Sequence, residues 1–236
     1  MSSQNYSIVE EEFNSLQTLT PKEKYKKIRS VASLAETALK TANDVDEIGF
    51  YAKIFKMANN SRLLNKAKVK EFELKGISEV KTLKTKLGSV NIESGLISVG
   101  DPALSYKNEY DTKKIVKEMN QGNFYCIGSG GDGTFDVTLR QVGVDEPLLG
   151  PKEYKFITNN SKTSVIKITS GFVKCADFWD VSRSAVGGVG YEIENGFYKT
   201  AFYLKEIRDK YFGFVVVLSK TDKIYAPELT EIETLG

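Results

Sequence analysis

Four aspartates stand where predicted strands end or turn, and carboxylates in such places can hold a cation or a polar ligand. They are Asp101, Asp132, Asp136 and Asp177. Oxygen ligands of this kind suit Ca²⁺ or Mg²⁺, but their spacing is not that of an EF-hand loop. An aspartate before proline or after a small residue more often forms a turn. We therefore predict binding candidates here, with no catalytic residue, no metal site and no cofactor.

The chain contains no histidine. Its absence excludes mechanisms that need an imidazole, such as Ser-His-Asp and Cys-His catalysis and HExxH zinc sites. The two cysteines, Cys126 and Cys175, each lie in an apolar, strand-like stretch. We predict two buried thiols, and a disulfide is the alternative. The enzyme alternative that we consider uses carboxylates with a metal or a nucleotide around Asp132.

A glycine cluster at 128–133 matches the letters G-x-G-x-x-G. A dinucleotide site needs these glycines to follow a strand and to open a helix whose first turn holds the pyrophosphate. Residues 134–142 instead alternate apolar and polar side chains and are rich in β-branched residues, which predicts a strand. We therefore predict a hairpin, in which Asp132 and Gly133 form the bend between two antiparallel strands.

Two motifs resemble those of known families. The stretch Gly130-Gly131-Asp132-Gly133-Thr134 resembles the GGDGT signature of the diacylglycerol-kinase and NAD-kinase families, whose acidic and glycine residues contact the nucleotide. Those kinases need alternating strands and helices upstream of the motif and a helix after it. This sequence has neither pattern, so we do not expect a kinase.

The second resemblance covers about residues 88–176. Ser94-Gly95 followed by Asp101-Pro102, together with the GDG-x-F-x-V stretch at 131–137, resembles an uncharacterised family of β-rich domains in bacteria and phages. Phe135 stands where tyrosine is more usual. Some members of that family are linked to toxin–immunity systems. The resemblance implies a β-rich fold and an immunity-like role, and it implies no catalytic residue.

The first seventy-odd residues predict helices. Thr20, Pro21 and Glu23 form a capping box with proline at the first helical position. An apolar stripe follows at helical spacing, formed by Tyr25, Ile28, Val31, Ala32, Ala35, Ala38 and Leu39. A second helix is predicted over 46–58, and Ser61 is the predicted cap of a third. We therefore predict a short helical region over 1–76.

Beyond residue 76 the apolar residues recur with the period of two that is typical of strands. Strands are predicted at 89–93, 96–100, 123–129, 134–142, 153–158, 164–169, 171–176, 197–205 and 211–220. One helix, capped by Asp111, interrupts them at 111–120. Residues 187–190 are predicted to form a flexible loop. The expected class is α+β, with the helical region followed by an all-β sandwich or barrel-like domain over 77–236.

An internal duplication is suggested within the β-rich part. Residues 92–101 align with 168–177 at an offset of 76, and Asp101 then corresponds to Asp177. Phe124 and Phe135 find further matches in Phe197 and Phe212. These matches suggest two similar halves, 88–162 and 163–236, which bury one apolar face each against the other. The alternative is that strand–SG–strand sequences look repetitive by themselves.

Two further features bear on partners. Residues 62–86 carry eight basic and three acidic side chains, a pattern that fits either a nucleic-acid footprint or a solvated face. We favour the solvated face, since only Phe72 supplies an aromatic ring among these lysines. The single tryptophan, Trp179, is either a core residue or an anchor at an interface.

These observations favour a non-enzymatic binding protein that acts through protein–protein contact and is immunity- or phage-related. The alternatives are a virion or assembly protein with a helical docking arm, and the carboxylate-dependent enzyme around Asp132. The expected partner is a protein or a second copy of the chain. No apolar stretch is long enough to span a membrane, and the N-terminus lacks a secretory signal. We therefore expect the cytoplasm of a bacterial or host cell, or a virion.

Overall fold

The computed structural model describes residues 4–104, 111–144, 146–182, 187–208, 211–222 and 228–235. Within them the chain forms two compact units. One is helical and comprises residues 1–79 with 150–155, and the other is mainly β and comprises 80–149 with 156–236. The predicted α+β class is confirmed.

The helical unit contains four helices. They are α1 (Gln4–Asn14), α2 (Pro21–Leu39), α3 (Val45–Met57) and α4 (Ser61–Leu74). The predicted stripe of α2 is buried from Ile28 to Leu39 against residues of α3 such as Ile48 and Phe55. Tyr25, which we predicted to begin this stripe, is 65% exposed. The apolar face of α2 therefore runs one turn beyond the core of the unit.

The helix starts follow the expected cap chemistry with one exception. The Glu23 carboxylate accepts hydrogen bonds from the backbone N–H of Thr20 at 3.0 Å and from its hydroxyl at 2.6 Å, as the capping box predicts. The prediction that Ser61 caps α4 is wrong. Asn60 is the cap, because its side-chain oxygen accepts from the N–H of Leu63 at 3.1 Å.

This cap assignment gives a direct prediction for the helical unit. Asn60→Ala should lower the free energy of unfolding by about 1 kcal/mol, since it leaves an N–H of the first turn without its side-chain acceptor. Ser61→Ala, at the neighbouring position, should change it by less than about 0.5 kcal/mol. Thermal unfolding followed by far-ultraviolet circular dichroism measures both variants, and a larger loss at Ser61 would reverse the assignment.

The described part of the β unit contains ten strands, one α-helix and a short 3-10 helix at Phe178–Asp180. The strands are β1 (Thr82–Ile92), β2 (Leu96–Gly100), β3 (Phe124–Gly128), β4 (Gly133–Val142), β5 (Ile157–Asn160), β6 (Ser164–Ile168), β7 (Phe172–Asp177), β8 (Val189–Glu192), β9 (Gly196–Arg208) and β10 (Tyr211–Thr221). The helix α5 (Thr112–Asn120) is capped by Asp111, as predicted. Strand β1 begins seven residues before its predicted start at 89.

The strands form two sheets that share one core. The larger sheet has the order β1-β4-β10-β9-β5, with β6 also paired to β9, and the smaller has the order β3-β2-β7-β8. Residues from both sheets and from α5 make up a single buried cluster, which includes Val99, Phe124, Phe202 and Phe214. Within the described residues the sheets do not close into a barrel, so the sandwich alternative is the one observed.

The glycine cluster at 128–133 joins the two sheets. A strand, β4, follows it, and not a helix, as predicted. The predicted hairpin is wrong, because β3 pairs with β2 in the smaller sheet whereas β4 pairs with β1 and β10 in the larger one. Ser129, which follows β3, stabilises this crossing, because its N–H donates to the carbonyl of Gly95 at 3.0 Å.

Residues 187–190, predicted as a loop, contain the beginning of β8. Gly190 is paired with Lys174 of β7, and a Cβ at this glycine would lie 2.6 Å from both the Phe172 ring and the Val173 carbonyl oxygen. The glycine is therefore required by the close approach of β7 and β8, which a single sequence does not reveal. The two cysteines are buried and free, as predicted, and burial raises the pKa of both thiols.

The pairing pattern has an approximate two-fold arrangement. In the smaller sheet β2 and β7 are antiparallel, and Val99 lies opposite Cys175, the residue that corresponds to it at the offset of 76. In the larger sheet β1 pairs with β4, β6 pairs with β9, and β10 lies between β4 and β9. If the two halves are related in this way, β3 of the first half corresponds to β8 of the second. The sequence match of Phe124 to Phe197 had suggested that β3 corresponds to β9. The duplication over 88–162 and 163–236 stays a hypothesis, now with this equivalence of strands.

Candidate protein-binding surface

The predicted site residue Asp101 lies at the end of β2 and is fully buried. Its Oδ2 accepts hydrogen bonds from the N–H of Thr169 at 2.6 Å and of Ser170 at 2.9 Å, and from the Thr169 hydroxyl at 2.8 Å. Its Oδ1 accepts from the Ser170 hydroxyl and from the N–H of Ala103. Asp101 therefore stabilises the turn between β6 and β7.

Asp177 makes the same arrangement at the other end of the β2–β7 pair. Its Oδ2 accepts from the N–H groups of Glu93 and Ser94 and from the Ser94 hydroxyl, each at 2.9 Å. Its Oδ1 accepts from the N–H of Trp179 at 3.0 Å. Every one of these partners lies 76 residues from its counterpart around Asp101. Asp101, at the end of β2, thus stabilises the turn before β7, the strand that ends at Asp177. Asp177 in the same way stabilises the turn before β2, the strand that leads to Asp101.

Burial and hydrogen bonding shift the acidity of Asp101 in opposite directions. Desolvation raises its pKa, but the bonds from Ser170, Thr169 and Ala103 outweigh desolvation and hold the pKa below its usual value. The two aspartates are not close to each other. Gly100 pairs with Lys174 whereas Asp177 pairs with Ile97, which places the carboxylates roughly 13 Å apart along the strands. Both carboxylates stabilise turns of the β unit, and both are buried.

Two further predicted site residues, Asp132 and Trp179, are accessible to solvent. Asp132 is exposed beside Gly95 in the crossing between β3 and β4. Trp179 is 38% exposed and packs edge-to-face on Phe178, with 4.8 Å between the ring centres, so Phe178 is the ring that fills the core. Within the described residues no three His, Cys, Asp or Glu side chains are grouped to hold a metal ion.

Asp136 lies on a different part of the molecule, the outer face of the larger sheet. It belongs to a row of residues that crosses four strands, from Ser89 on β1 through Asp136 and Gly213 to Lys205 on β9. A groove of about 470 Å³ runs along this row and is also lined by Leu87 and Ile207. We call it the β1 groove.

Gly213 forms the floor of the β1 groove. A Cβ at this position would lie 2.7 Å from the carbonyl oxygen of Asp136 and 2.8 Å from Cδ1 of Ile207. The missing side chain lets Ile207 lie against the backbone of β10 at Gly213, which pairs with Asp136 on one side and with Lys205 on the other. The Lys205 ammonium group lies over the Phe156 ring, 6.0 Å from its centre.

One wall of the groove is a free sheet edge. Strand β1 is eleven residues long and, among the described strands, pairs only with β4. Its first eight residues are all exposed, and Leu83 and Leu87 are 52% and 69% exposed. Ile207 adds an apolar side chain that is 40% exposed. An edge of this length with apolar side chains offers unpaired backbone groups and apolar area together.

Five of the eight basic residues in the segment 62–86, those on α4 and at its end, form ion pairs with described glutamates. Arg62 and Lys66 are paired with Glu36, at 3.9 and 2.6 Å. The remaining basic residues of α4 and its end are paired with neighbouring glutamates on the same helix, as Lys68–Glu71, Lys70–Glu73 and Lys75–Glu71. The five basic residues share three glutamates, and the solvated-face interpretation of the segment stays a prediction.

Sequence reasoning found Asp136 but missed the residues around it. Leu87 lies before the predicted start of β1, and Gly213, Lys205 and Ile207 belong to strands whose neighbours were unknown. The alternating polar stretch at 82–87 was the available signal for the longer strand. No sequence signal tells which strands border one another across the row.

Comparison with known proteins yields two solved structures of partial similarity. The crystal structure of ComJ from Bacillus subtilis, described as an inhibitor of the DNA-degrading activity of NucA, matches with a TM-score of 0.42 and 9% identity, over 61% of this chain and 100% of ComJ. The protein described as crocagin biosynthetic gene J matches with a TM-score of 0.41 and 10% identity, over 58% of this chain and 97% of the other. Similarity at this level does not transfer a function.

No family model matches the sequence, and no curated protein matches it significantly. The resemblance of the motifs at 94–102 and 131–137 to the β-rich bacterial and phage family therefore stays a prediction. In the part of the chain that the structure describes, no helix has the length and apolar character needed to cross a membrane.

Proposed function

We propose that this protein is a non-enzymatic binding protein that recognises another protein through strand β1 and the β1 groove. The observation that carries the proposal is the free edge of β1, eleven residues long, beside the exposed Leu87 and Ile207. A partner strand added to this edge would gain main-chain hydrogen bonds, and the groove would accept its side chains. The motif resemblance to a family with immunity-like members supports the same class of function.

The charges on the edge favour a different protein over a second copy of this chain. Lys84 and Lys86 lie on β1, and Lys84 donates to the carbonyl of Glu192 at 2.8 Å. Lysines on an edge oppose the pairing of two identical edges, because like charges are brought together. We therefore expect a monomer by light scattering.

The proposal predicts the effect of charge placed in the groove. In the double variant Leu87→Asp/Ile207→Asp, we expect the affinity for a protein captured from a native lysate to fall by about 100-fold. The cause is the loss of apolar burial and the introduction of two unpaired carboxylates. Quantitative pull-down with the immobilised full chain, followed by mass spectrometry of the bound protein, measures this effect.

The control is Leu34→Asp on α2, a leucine that is 40% exposed and far from β1 in the sequence. This variant should bind as the wild type does. If the double variant captured as much protein as the wild type, the proposal that the β1 groove binds the partner would be refuted. Binding heat with ATP, NAD, Mg²⁺ or Ca²⁺ in calorimetry, lost in Asp132→Asn, would instead favour the enzyme alternative. The virion alternative gains no specific support from the described residues.

A further inference from the structure

The helical unit carries a second apolar groove, which the proposed function does not use. It has a volume of about 540 Å³ and lies among α1, the turn after it, α2 and α3. Its floor consists of the buried Leu16 and Ile28 and the half-buried Phe13. Tyr25 and Met57 line it while 65% and 54% exposed. We call it the α2 groove.

This groove continues the apolar face of α2 past the core of its own unit. Ile28 is 5% exposed, whereas Tyr25, one turn earlier on the same face, is mostly in water. Large apolar rings on a helix face are normally buried against a neighbour. Tyrosine and methionine are also side chains that interfaces favour, because one offers a rigid amphipathic ring and the other adapts its shape.

The basic side chains around the groove come mainly from α2, whereas α1, which also lines it, carries Glu10, Glu11 and Glu12. The first three turns of α2 carry Lys22, Lys24, Lys26, Lys27 and Arg29 against one acid, Glu23. The Glu23 carboxylate is already bound to Thr20, and Lys27 is paired with Glu12 at 3.1 Å. Lys24 and Lys53 line the groove itself, and neither forms an ion pair with a described residue. Lys53 lies 5.7 Å above the Phe13 ring.

We infer that the α2 groove is a docking site for an acidic amphipathic segment of a partner protein. Two or three apolar side chains of such a segment would fill the groove, and its Asp and Glu residues would face Lys24 and Lys53. Charge complementarity selects this occupant, because an apolar floor with unpaired lysines on its rim matches a segment that is apolar on one face and acidic on the other. The inference goes beyond the proposed function, since it concerns another unit and another surface.

The test uses the full chain and two labelled peptides of about 14 residues, roughly four helical turns. Both carry leucine at helical spacing, and their other positions are mainly glutamate in one and lysine in the other. Fluorescence anisotropy should show saturable binding of the acidic peptide, weakened by salt, and at least about tenfold weaker binding of the basic one. Lys24→Glu/Lys53→Glu should reverse this preference, and Tyr25→Ala should weaken binding of the acidic peptide.

The matched control is Lys40→Glu, a charge reversal at the other end of α2, which should leave both affinities unchanged. Equal binding of the two peptides, or an acidic peptide bound equally by Lys24→Glu/Lys53→Glu, would overturn the inference. Tighter binding of anionic vesicles or of a DNA oligonucleotide than of the acidic peptide would overturn it in favour of a phosphate surface. The variants of Leu87 and Ile207 test the proposed function separately, because they leave the α2 groove unchanged.

Discussion

Asp101→Asn is expected to lower the free energy of unfolding of the β unit by about 3 kcal/mol. The carboxylate is fully buried and both of its oxygens accept, Oδ2 from the N–H groups of Thr169 and Ser170 and Oδ1 from the N–H of Ala103. Asparagine keeps only one of these oxygens, and the NH2 group that replaces the other cannot accept a hydrogen bond. Urea unfolding followed by tryptophan fluorescence measures this loss. The chain has one tryptophan, Trp179, so the signal reports on the β unit alone.

The same residue predicts a dependence on pH. The folded-state pKa of Asp101 is depressed, so its contribution is fully present above the unfolded value of about 3.9. The contribution is lost as the pH falls through the folded pKa, because the folded protein must then take up a proton that breaks the hydrogen bonds. The stability of the wild type should thus approach that of Asp101→Asn below about pH 4.

Two further variants make this prediction specific. Asp177→Asn should show a loss similar to that of Asp101→Asn, since its carboxylate holds the β1–β2 turn in the same way. The two losses should add in the double variant, because the carboxylates are roughly 13 Å apart along the strands. Asp132→Asn, at an exposed position, should cost less than about 0.5 kcal/mol. An Asp101→Asn protein as stable as the wild type would contradict the structural role.

Phe202→Ala is expected to cost about 4 kcal/mol and to lower the unfolding temperature by about 10 °C. Phe202 lies on β9 of the larger sheet, and its ring is 5.6 Å from that of Tyr125 on β3 of the smaller sheet. It also lies 6.5 Å from the ring of Phe214 on β10. Its removal leaves a cavity between the two sheets, and β9 and β10, which are paired on both sides, cannot move to close it.

The matched variant is Phe156→Ala in the same unit, at a phenylalanine that is 56% exposed. It deletes the same atoms without opening a cavity and should cost less than about 1 kcal/mol. Thermal unfolding followed by the fluorescence of Trp179 measures both. Equal losses for the two variants would show that the sheets do not share the core around Phe202.

The reciprocal turns explain why the motif around each aspartate appears twice. Glu93 and Ser94 supply N–H groups to Asp177, and Thr169 and Ser170 supply them to Asp101. A turn that passes the chain between sheets has backbone groups with no ladder partner, and a buried carboxylate satisfies two of them at once. The alignment of 92–101 with 168–177 therefore has a structural reason, whether or not the halves share an ancestor.

Local patterns in the sequence determined the α+β class, the helices α2, α3 and α5, most strands, and the strand after the glycine cluster. Capping residues and side-chain periodicity act over a few residues, so one sequence suffices to find them. The equivalence of Asp101 and Asp177 was also visible, because repeated letters at a constant offset need no structure. Their burial was not, since turn aspartates look alike in sequence whether they face solvent or backbone.

Only the tertiary structure decided which strands are neighbours. It placed β3 and β4 in different sheets, gave β1 only β4 as a partner among the described strands, and set Asp136, Gly213 and Lys205 in one row. It likewise left Tyr25 of the α2 stripe outside the core. Strand pairing joins residues far apart in the chain, and its energy depends on packing between faces that local periodicity does not specify.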